Sequence, residues 1–541
     1  MCFNVYYCSM KTKQLILFAC LLWVALLPLE VNARNTGAVC YTVSMPGPET
    51  QRFMVELILR QEAICAGVDP GVSPVAGTLH SLVLRMPGWM PGYYQMMHYG
   101  DDVEDISAFD REGRELTIKK AGSAAWRITC PEAAPLKAPV KVIYYVKAMQ
   151  RFVARSFLDA THAYIVPCNT FLYVDQRIHL PVTVAVKKDN LPDWTHIATG
   201  LEAVAGQKDV FYASDFDILY DSPILAGNLK ELPGFEIEGV PHRFLGFGME
   251  PFDNERFMAS LQKVVKTAVS LMGDIPYTHY TFIGIGPGMG GIEHLNSTTV
   301  SFDGKGLDAP ESFLRTMDFL CHEYFHHFNV KRIRPFELGP FDYENGSRTN
   351  QLWISEGLTE YYTWAIMKAS GLTDTRQFLA HFESNIKSLE NNPGRFHQSL
   401  AQSSYNTWSD GPFGGNEGKT VSYYIKGPLA GLLLDLEIRH VTGNIKSLDD
   451  VMRTLYNVYY KEKGRGFTES EFQFVCETVA GKPLAEVFEY IYTTKTLDYN
   501  KYLSYAGLIL IGPDASGNYS LKMTDDANSS QMALLKSWLR E

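Results

Sequence analysis

The apolar residues of this chain change their spacing near residue 253, and this change constrains the fold more than any other feature of the sequence. From about residue 38 to 230 the chain alternates short β-rich runs with turn residues, as in "RFMVELILR", "SLVLRMPGW", "AWRITC", "VKVIYYVKAM" and "LPVTVAV". Runs of this length and spacing are typical of an antiparallel sandwich. After Asp253, the stretch "NERFMASLQKVVKTAVSLMG" places apolar residues at helical intervals and ends at Gly273.

We therefore predict an α+β multidomain fold for the 541 residues, of which 46% are apolar, enough to bury more than one core. Residues 34–232 are predicted to form an N-terminal antiparallel β-sandwich domain. Residues 233–500 are predicted to form a mixed α/β and then helical domain, because the strand-like runs "YTFIGIG" and "GGIEHLNSTTVSF" precede several helical stretches. Residues 501–541 are predicted to form a short C-terminal strand and tail segment.

Residues 1–33 are predicted to be a signal peptide if Met10 is the working start. Lys11 and Lys13 precede an apolar run over residues 15–29, and residues 31–33 form a small-x-small cleavage site. The alternative is an uncleaved anchor, but the run is short for a membrane span. No second apolar stretch is long enough to cross a bilayer, so we expect an exported chain with no membrane span after processing.

Charge and cysteine content exclude several classes of partner. The formal charge of −11 comes without a long basic block, and the compact basic run is Lys331, Arg332 and Arg334. We therefore expect neither nucleic acid nor an anionic membrane surface as a partner. The cysteines beyond residue 33 show no paired spacing, which favours buried thiols over a disulfide framework or a cysteine-ligated metal, with one N-terminal bridge as the alternative.

The stretch "CHEYFHHFNVKRIRP" is predicted to be the second half of a helix that Asp308 caps and Pro335 ends, and it contains the pattern HExxH. His322 and His326 are four positions apart, so both imidazoles can point at one metal ion. Glu323 falls beside that ion, where a carboxylate can take a proton from water. A chance HExxH occurs in roughly one chain of this length in fifty, so the pattern needs support from elsewhere. We assign His327 no metal role.

A catalytic zinc site needs a third protein ligand, and "WISEGLTEYY" supplies two candidates on a second helix. Glu356 is the candidate third ligand. Glu360, one turn later on the same face, could hydrogen-bond an imidazole nitrogen and orient it. Which of the two glutamates binds the metal stays open on spacing alone, since an ordinary acidic helix face would look the same.

Two further motifs are candidates for contact with a substrate. "GGIEH" contains Gly290, Gly291 and Glu293 on a predicted edge strand, where glycines allow a substrate backbone to come close and the glutamate offers a charge. "SYYIKG" places Tyr423 and Tyr424 at the head of a later helix, where a phenol could donate to an oxyanion. Taken singly, the first is more often a turn and the second more often core packing.

In this order the motifs resemble the thermolysin-type (gluzincin) zinc metallopeptidases and, more narrowly, the glycyl aminopeptidase family. "MPGWMPGYYQMMHYGDDVEDISAFD" and "FDILYDSPILAG" are similar to further passages of that family, and the resemblance runs from about residue 38 to 505. It implies a thermolysin-like catalytic domain with one Zn²⁺ per chain on His322, His326 and Glu356. The chain after Leu503 is too short for the full PDZ domain that many members carry.

The resemblance also implies roles for the remaining residues. Glu323 would be the general base for attack of a zinc-bound water on the scissile carbonyl. Tyr424 would stabilise the oxyanion. Glu293 would bind the free α-amino group of the substrate.

The activity we predict is that of an exported zinc aminopeptidase acting on peptides with a free N-terminus, with a preference for small residues such as Gly or Ala. The alternatives are a zinc endopeptidase with the same site and a catalytically silent binding protein with a structural zinc. A periplasmic or cell-envelope location is favoured because the Asn-x-Thr sequon at Asn296 falls on the proposed substrate strand, where a glycan would obstruct the cleft. The sequence leaves the oligomeric state open.

Overall fold

The computed structural model describes residues 37–65, 80–130, 136–415 and 418–541. The predicted signal peptide at residues 1–33 lies outside the described residues. Among the described helices, none combines the length and the apolar run that crossing a bilayer requires.

The N-terminal region is built from an 11-stranded sheet and a 5-stranded sheet that share one apolar core. Its strands alternate buried and half-buried residues, as in Val39–Ser44 and Arg52–Leu59, so each presents one face to that core. The strands are β1 Val39–Ser44, β2 Arg52–Leu59, β3 Ser81–Arg85, β4 Val103–Phe109, β5 Glu115–Gly122, β6 Ala125–Thr129, β7 Val140–Lys147, β8 Met149–Phe152, β9 Arg155–Leu158, β10 His162–Ile165, β11 Tyr173–Val174, β12 Val182–Lys187, β13 His196–Thr199, β14 Glu202–Ala203, β15 Val210–Ala213 and β16 Ile224–Gly227.

The large sheet has the order β11-β3-β6-β5-β4-β7-β2-β1-β12-β15-β14, and the small one β13-β16-β10-β9-β8. The predicted antiparallel arrangement is confirmed for most pairs, but β1 and β12 are parallel, with Val39 opposite Val182. Three short helices connect these strands: α1 Gln61–Cys65, α2 Pro167–Thr170 and α3 Phe216–Tyr220. Single 3-10 turns lie at Pro48–Thr50 and Tyr99–Asp102.

A third, 6-stranded sheet begins the catalytic part of the chain. Its strands are β17 Lys230–Glu231, β18 Phe235–Ile237, β19 Val240–Gly246, β20 Tyr280–Gly284, β21 Gly286–Glu293 and β22 Ser297–Phe302. The order β17-β19-β20-β22-β21 makes β21 an edge strand, as the sequence predicted for the GGIEH motif. The glycine-rich residues 286–291 lie within β21, and the register with β22 shifts between Gly286 and Gly291.

Helices form the rest of the catalytic part and a second core. The first, α4, begins where the Asp253 carboxylate accepts from the backbone N–H of Arg256 at 2.9 Å, and it ends at Gly273 in the left-handed region, as predicted. The helices are α4 Asn254–Met272, α5 Pro310–Phe325, α6 Thr359–Ala369, α7 Thr375–Glu390, α8 Leu400–Tyr405, α9 Thr407–Asp410, α10 Tyr423–Val441, α11 Leu448–Thr454, α12 Glu469–Ala480, α13 Ala485–Tyr492, α14 Tyr499–Ser504 and α15 Ser529–Trp538. Trp353–Leu358 and Leu455–Glu462 are π-helical, and Phe336–Leu338 and Pro393–Phe396 are 3-10 turns.

The C-terminal segment is a hairpin, β23 Leu508–Ile511 with β24 Ser520–Met523, followed by α15. The tail packs on the helical core: the Trp538 indole donates to the Tyr361 hydroxyl at 3.1 Å, and Arg540 pairs with Asp449 at 2.9 Å. The predicted strand and tail segment is therefore an integral part of the catalytic core.

Candidate metal centre

Three predicted ligands meet between α5 and the π-helical turn before α6. Nε2 of His322 lies 3.6 Å from Oε2 of Glu356, and Nε2 of His326 lies 3.2 Å from the same oxygen. All three side chains are buried, and their ligand atoms lie within 4.8 Å of one another. Ligand atoms about 2.0–2.1 Å from a tetrahedral zinc ion are separated from one another by distances close to those between the two imidazoles and Glu356, so the three side chains fit zinc.

The helix that carries the histidines ends earlier than predicted. Its N-cap is Ala309, which makes no side-chain cap, so the predicted cap at Asp308 is wrong, and it ends at Phe325, not near Pro335. His326 keeps helical angles, and its N–H reaches the His322 carbonyl at 3.3 Å, so the two imidazoles still share one face. The chain then turns, and the Arg332 guanidinium donates to the carbonyls of His327, Leu295 and Pro276 at 2.7, 2.9 and 2.8 Å.

The outer nitrogens of both imidazoles have partners that leave the Nε2 atoms facing Glu356. Nδ1 of His322 lies 3.1 Å from Oε2 of Glu360, which is where the sequence placed an orienting carboxylate. Nδ1 of His326 lies 2.7 Å from the carbonyl oxygen of Asn329. Each Nδ1 therefore carries the proton, and each Nε2 has its lone pair available for a metal.

Asn329 is a structural element of the centre that sequence reasoning missed. Its side-chain amide donates to the Ile354 carbonyl at 2.7 Å and to the Thr359 hydroxyl at 3.0 Å, so it ties the end of the histidine helix to the π-helical turn. A π-helical turn is a recurring way to re-aim one side chain, which here is Glu356. The available signal was a polar residue three positions after His326, which is too common to single out.

The charges at the centre attract a cation. Burial alone would lower the pKa of His322 and His326, but the surrounding carboxylates more than offset it and raise the pKa of both. Burial likewise opposes ionisation of Glu356, yet the two imidazoles hold its pKa far below the usual range. Two imidazoles and one carboxylate, each oriented and desolvated, are the donor set that zinc prefers over magnesium or calcium.

Glu323 lies beside the ligands, against the edge strand β21. It is buried, and its Oε2 has no hydrogen-bond partner within the described part of the chain. Burial raises its pKa to about 7, partly offset by His326 and His322. A Cβ at Gly291 would lie 2.6 Å from Oε1 of Glu323, so a glycine is required for the carboxylate to sit so close to the strand.

Of the two candidate tyrosines, the structure places Tyr424 at the centre. Its hydroxyl donates to Oε2 of Glu356 at 2.8 Å, whereas the Tyr423 hydroxyl pairs with Thr407 at 3.0 Å in the core. Burial and the Glu356 charge raise the pKa of Tyr424, so the phenol keeps its proton. The close approach depends on Gly357 and Gly427, because a Cβ on the first would lie 2.6 Å from Cα of the second.

Glu293 ends β21 and is 4% exposed. Its Oε1 has no hydrogen-bond partner among the described residues, and its charge contributes to the raised pKa of Glu323. Gly92, from the N-terminal region, approaches so closely that a Cβ there would lie 3.0 Å from Oε2 of Glu293. Gly290, by contrast, is exposed on the preceding part of the strand. His327, which was assigned no metal role, is fully buried among aromatic rings, away from the ligand set.

Comparisons with known proteins agree with this geometry. The Peptidase M61 N-terminal domain matches residues 40–228, and the M61 glycyl aminopeptidase domain matches residues 315–430. Together the two matches cover more than half of the chain and include the histidines, Glu356 and Tyr424. No curated protein matches the sequence.

Solved structures are similar over most of the chain. An aminopeptidase N family protein from Idiomarina loihiensis has 26% identity and a TM-score of 0.78, with 87% of this chain and 79% of that one covered. An M1 zinc metallopeptidase from Deinococcus radiodurans, with 13% identity and a TM-score of 0.50, covers 86% of this chain and 94% of its own, and shows a related fold.

Proposed function

Because this chain belongs to the M61 glycyl aminopeptidase family and is a zinc metallopeptidase, we propose that it removes single N-terminal residues from peptides at the centre formed by His322, His326 and Glu356. One observation carries the proposal. A buried carboxylate, Glu293, ends the edge strand beside the general-base candidate Glu323, and its Oε1 has no hydrogen-bond partner among the residues that the structure describes.

Zinc bound at this centre supplies Lewis acidity, which lowers the pKa of a water molecule and polarises a peptide carbonyl. Glu323 accepts the proton from the attacking water and passes it to the leaving amine. Its Oε2 is free to do so, and a pKa of about 7 is close to the value that suits a group that must both take and give a proton near neutral pH.

Tyr424 donates a hydrogen bond to the carbonyl oxygen of the substrate as negative charge develops there. The raised pKa keeps the phenol protonated over the working range of pH, which a donor requires. Its ring stacks on Phe413, with 5.4 Å between ring centroids, and its hydroxyl exchanges Oε2 of Glu356 for the substrate oxygen.

Glu293 binds the α-ammonium group of the substrate and so makes the enzyme an exopeptidase. A buried carboxylate with an unused oxygen is costly unless a cation completes it, and the N-terminus of a peptide is such a cation. The match to the glycyl aminopeptidase family supports a preference for small N-terminal residues such as Gly and Ala.

We also propose export to the bacterial cell envelope, on the basis of the N-terminal sequence pattern. The environment of Asn296 supports a location without N-glycosylation. Nδ2 of Asn296, the atom to which a glycan would be attached, donates to the Gly200 carbonyl at 2.8 Å.

The test is a panel of chromogenic aminoacyl substrates, assayed with and without a chelator and after zinc is added back. We expect hydrolysis of Ala and Gly substrates that the chelator abolishes and zinc restores. The proposal would be refuted if the chelator reduced the hydrolysis of none of the substrates, free-amine or blocked.

Glu293→Ala distinguishes an aminopeptidase from an endopeptidase with the same zinc site. In an aminopeptidase the variant loses most of its activity on free-amine substrates. If the enzyme is an endopeptidase, the parent cleaves N-terminally blocked peptides readily, and Glu293→Ala cleaves them equally well.

A further inference from the structure

Lys331 is a buried lysine that the mechanism above does not use. It lies on the turn after α5, and its side chain is 7% exposed. Its Nζ lies 2.7 Å from Oδ1 of Asp221 and 3.8 Å from Oε1 of Glu293. The first distance is a charge-assisted hydrogen bond, and the second is too long to be one.

Asp221 in turn clamps the backbone that follows Glu293. One of its oxygens accepts from the N–H of Leu295 at 2.7 Å, and the other lies 3.3 Å from Nδ1 of His294. Lys331 therefore links the histidine helix to a carboxylate that fixes the end of the edge strand. The three elements that meet here come from the N-terminal region, the third sheet and the zinc-binding segment.

The charges of this cluster do not balance. The half-buried Asp221 and the buried Glu293 face the ammonium group of Lys331, and Asp217 and Arg334 line a cavity together with these three residues. Burial opposes the charge on Asp221 and Lys331, but their mutual attraction lowers the pKa of Asp221 and raises that of Lys331, so both stay charged. Three carboxylates therefore face two cationic side chains, and the hydrogen-bonding capacity that the described residues leave unused is on Oε1 of Glu293.

The missing charge has a place to bind. Glu293, Asp221 and Lys331 line the cavity of about 60 Å³, together with Gly92 and Tyr94. A cavity of this size holds a few water molecules or one small charged group. An ammonium group brings three N–H donors, enough to bond Oε1 of Glu293 and other acceptors at once.

We propose that Lys331 is a positioning residue for the α-ammonium group of the substrate. Its charge is taken up by Asp221, so Oε1 of Glu293 stays available to accept from the incoming cation. This inference rests on the proposed function, since it assumes that Glu293 binds the N-terminus.

The first test replaces Lys331 by Met and by Arg and measures KM and kcat with an alanine chromogenic substrate. Without the lysine, Asp221 loses its partner at 2.7 Å and fixes the backbone of Leu295 less firmly, so Glu293 is less well placed for the ammonium group. We expect Lys331→Met to raise KM by about tenfold or more with kcat within about threefold, and Lys331→Arg to restore KM to within about threefold. Zinc content, measured by atomic absorption, stays at the parent value in both.

A second variant keeps the test decisive if Lys331→Met does not fold. Asp221→Asn retains an oxygen for the Leu295 N–H but releases Lys331 from its main partner. Lys331 then pairs with Glu293 and competes with the substrate, so KM again rises about tenfold.

The control is Glu293→Gln in the same assay. If Glu293→Gln leaves KM unchanged, the proposed role of Glu293 fails, and this inference with it. If Glu293→Gln raises KM but neither Lys331→Met nor Asp221→Asn does, the inference is overturned while the proposed function stands. Loss of zinc, or a fall in kcat at constant KM in Lys331→Met, would show a merely structural lysine and also overturn it.

Discussion

Gly291→Ala tests the contact that places the general base. The new Cβ would lie 2.6 Å from Oε1 of Glu323 and 2.6 Å from Cζ of Phe319, both on α5. Ordinary contact begins near 3.4 Å, so the carboxylate has to move by about 0.8 Å, since the strand on the other side is fixed by its pairing with β22. A displacement of about 1 Å at a reacting group can cost about a hundredfold in rate, or roughly 2.7 kcal/mol of activation free energy.

We therefore expect kcat of Gly291→Ala to fall by about a hundredfold while zinc content is unchanged, because the atoms nearest to the new Cβ belong to Glu323 and Phe319 and not to a ligand. The assay is steady-state hydrolysis of an alanine chromogenic substrate, with zinc measured on the same sample. Gly288→Ala on the same strand is the matched control, since its Cβ meets the Ser301 hydroxyl, which can rotate, and not the base. A parent-like kcat in Gly291→Ala would refute the idea that this glycine sets the position of Glu323.

Further outcomes follow from the same geometry. Glu323→Gln should lower kcat by about 10²–10⁴-fold with zinc retained, and unchanged activity would contradict its role as base. Tyr424→Phe should lower kcat by about 10²–10³-fold with little change in KM, checked by steady-state kinetics. Burial raises the pKa of Glu323 to about 7, and only the ionised carboxylate can accept a proton, so kcat/KM should fall as pH drops below about 7. A bound cation favours the carboxylate and moves this fall to somewhat lower pH. A value of kcat/KM that rises towards pH 5 would contradict the role of Glu323 as base. Arg540→Met should destabilise the protein by about 3–5 kcal/mol at pH 7 in denaturant unfolding. Its partner Asp449 has a lowered pKa, so the pair stabilises above the unfolded value of about 3.9, and the difference from the parent should shrink as pH falls through the folded pKa.

The ligand set could be predicted because helical geometry fixes it locally. His322 and His326 share a face at a spacing of four whatever surrounds them. Spacing left Glu356 and Glu360 open as the third ligand, and the resemblance to the family singled out Glu356. The order of strands and helices could likewise be predicted from the spacing of apolar residues. The end of α5 could not, since residues 326–334 contain neither glycine nor proline, and the turn that follows is held by Arg332 through carbonyls as distant as Pro276 and Leu295.

Lys331 shows most clearly what spacing alone cannot reveal. Within its own stretch of sequence it is part of a basic run with two arginines, which ordinarily indicates a solvated surface. It is buried because its partners, Asp221 and Glu293, come from segments far away in sequence, and a buried charge is stable only where such partners meet it. Asp221 itself lies in the "FDILYDSPILAG" passage, which no chemical pattern marks as part of a site. A residue whose role depends on compensating charges can therefore be found from sequence only when all of its partners are known, and here that required the fold.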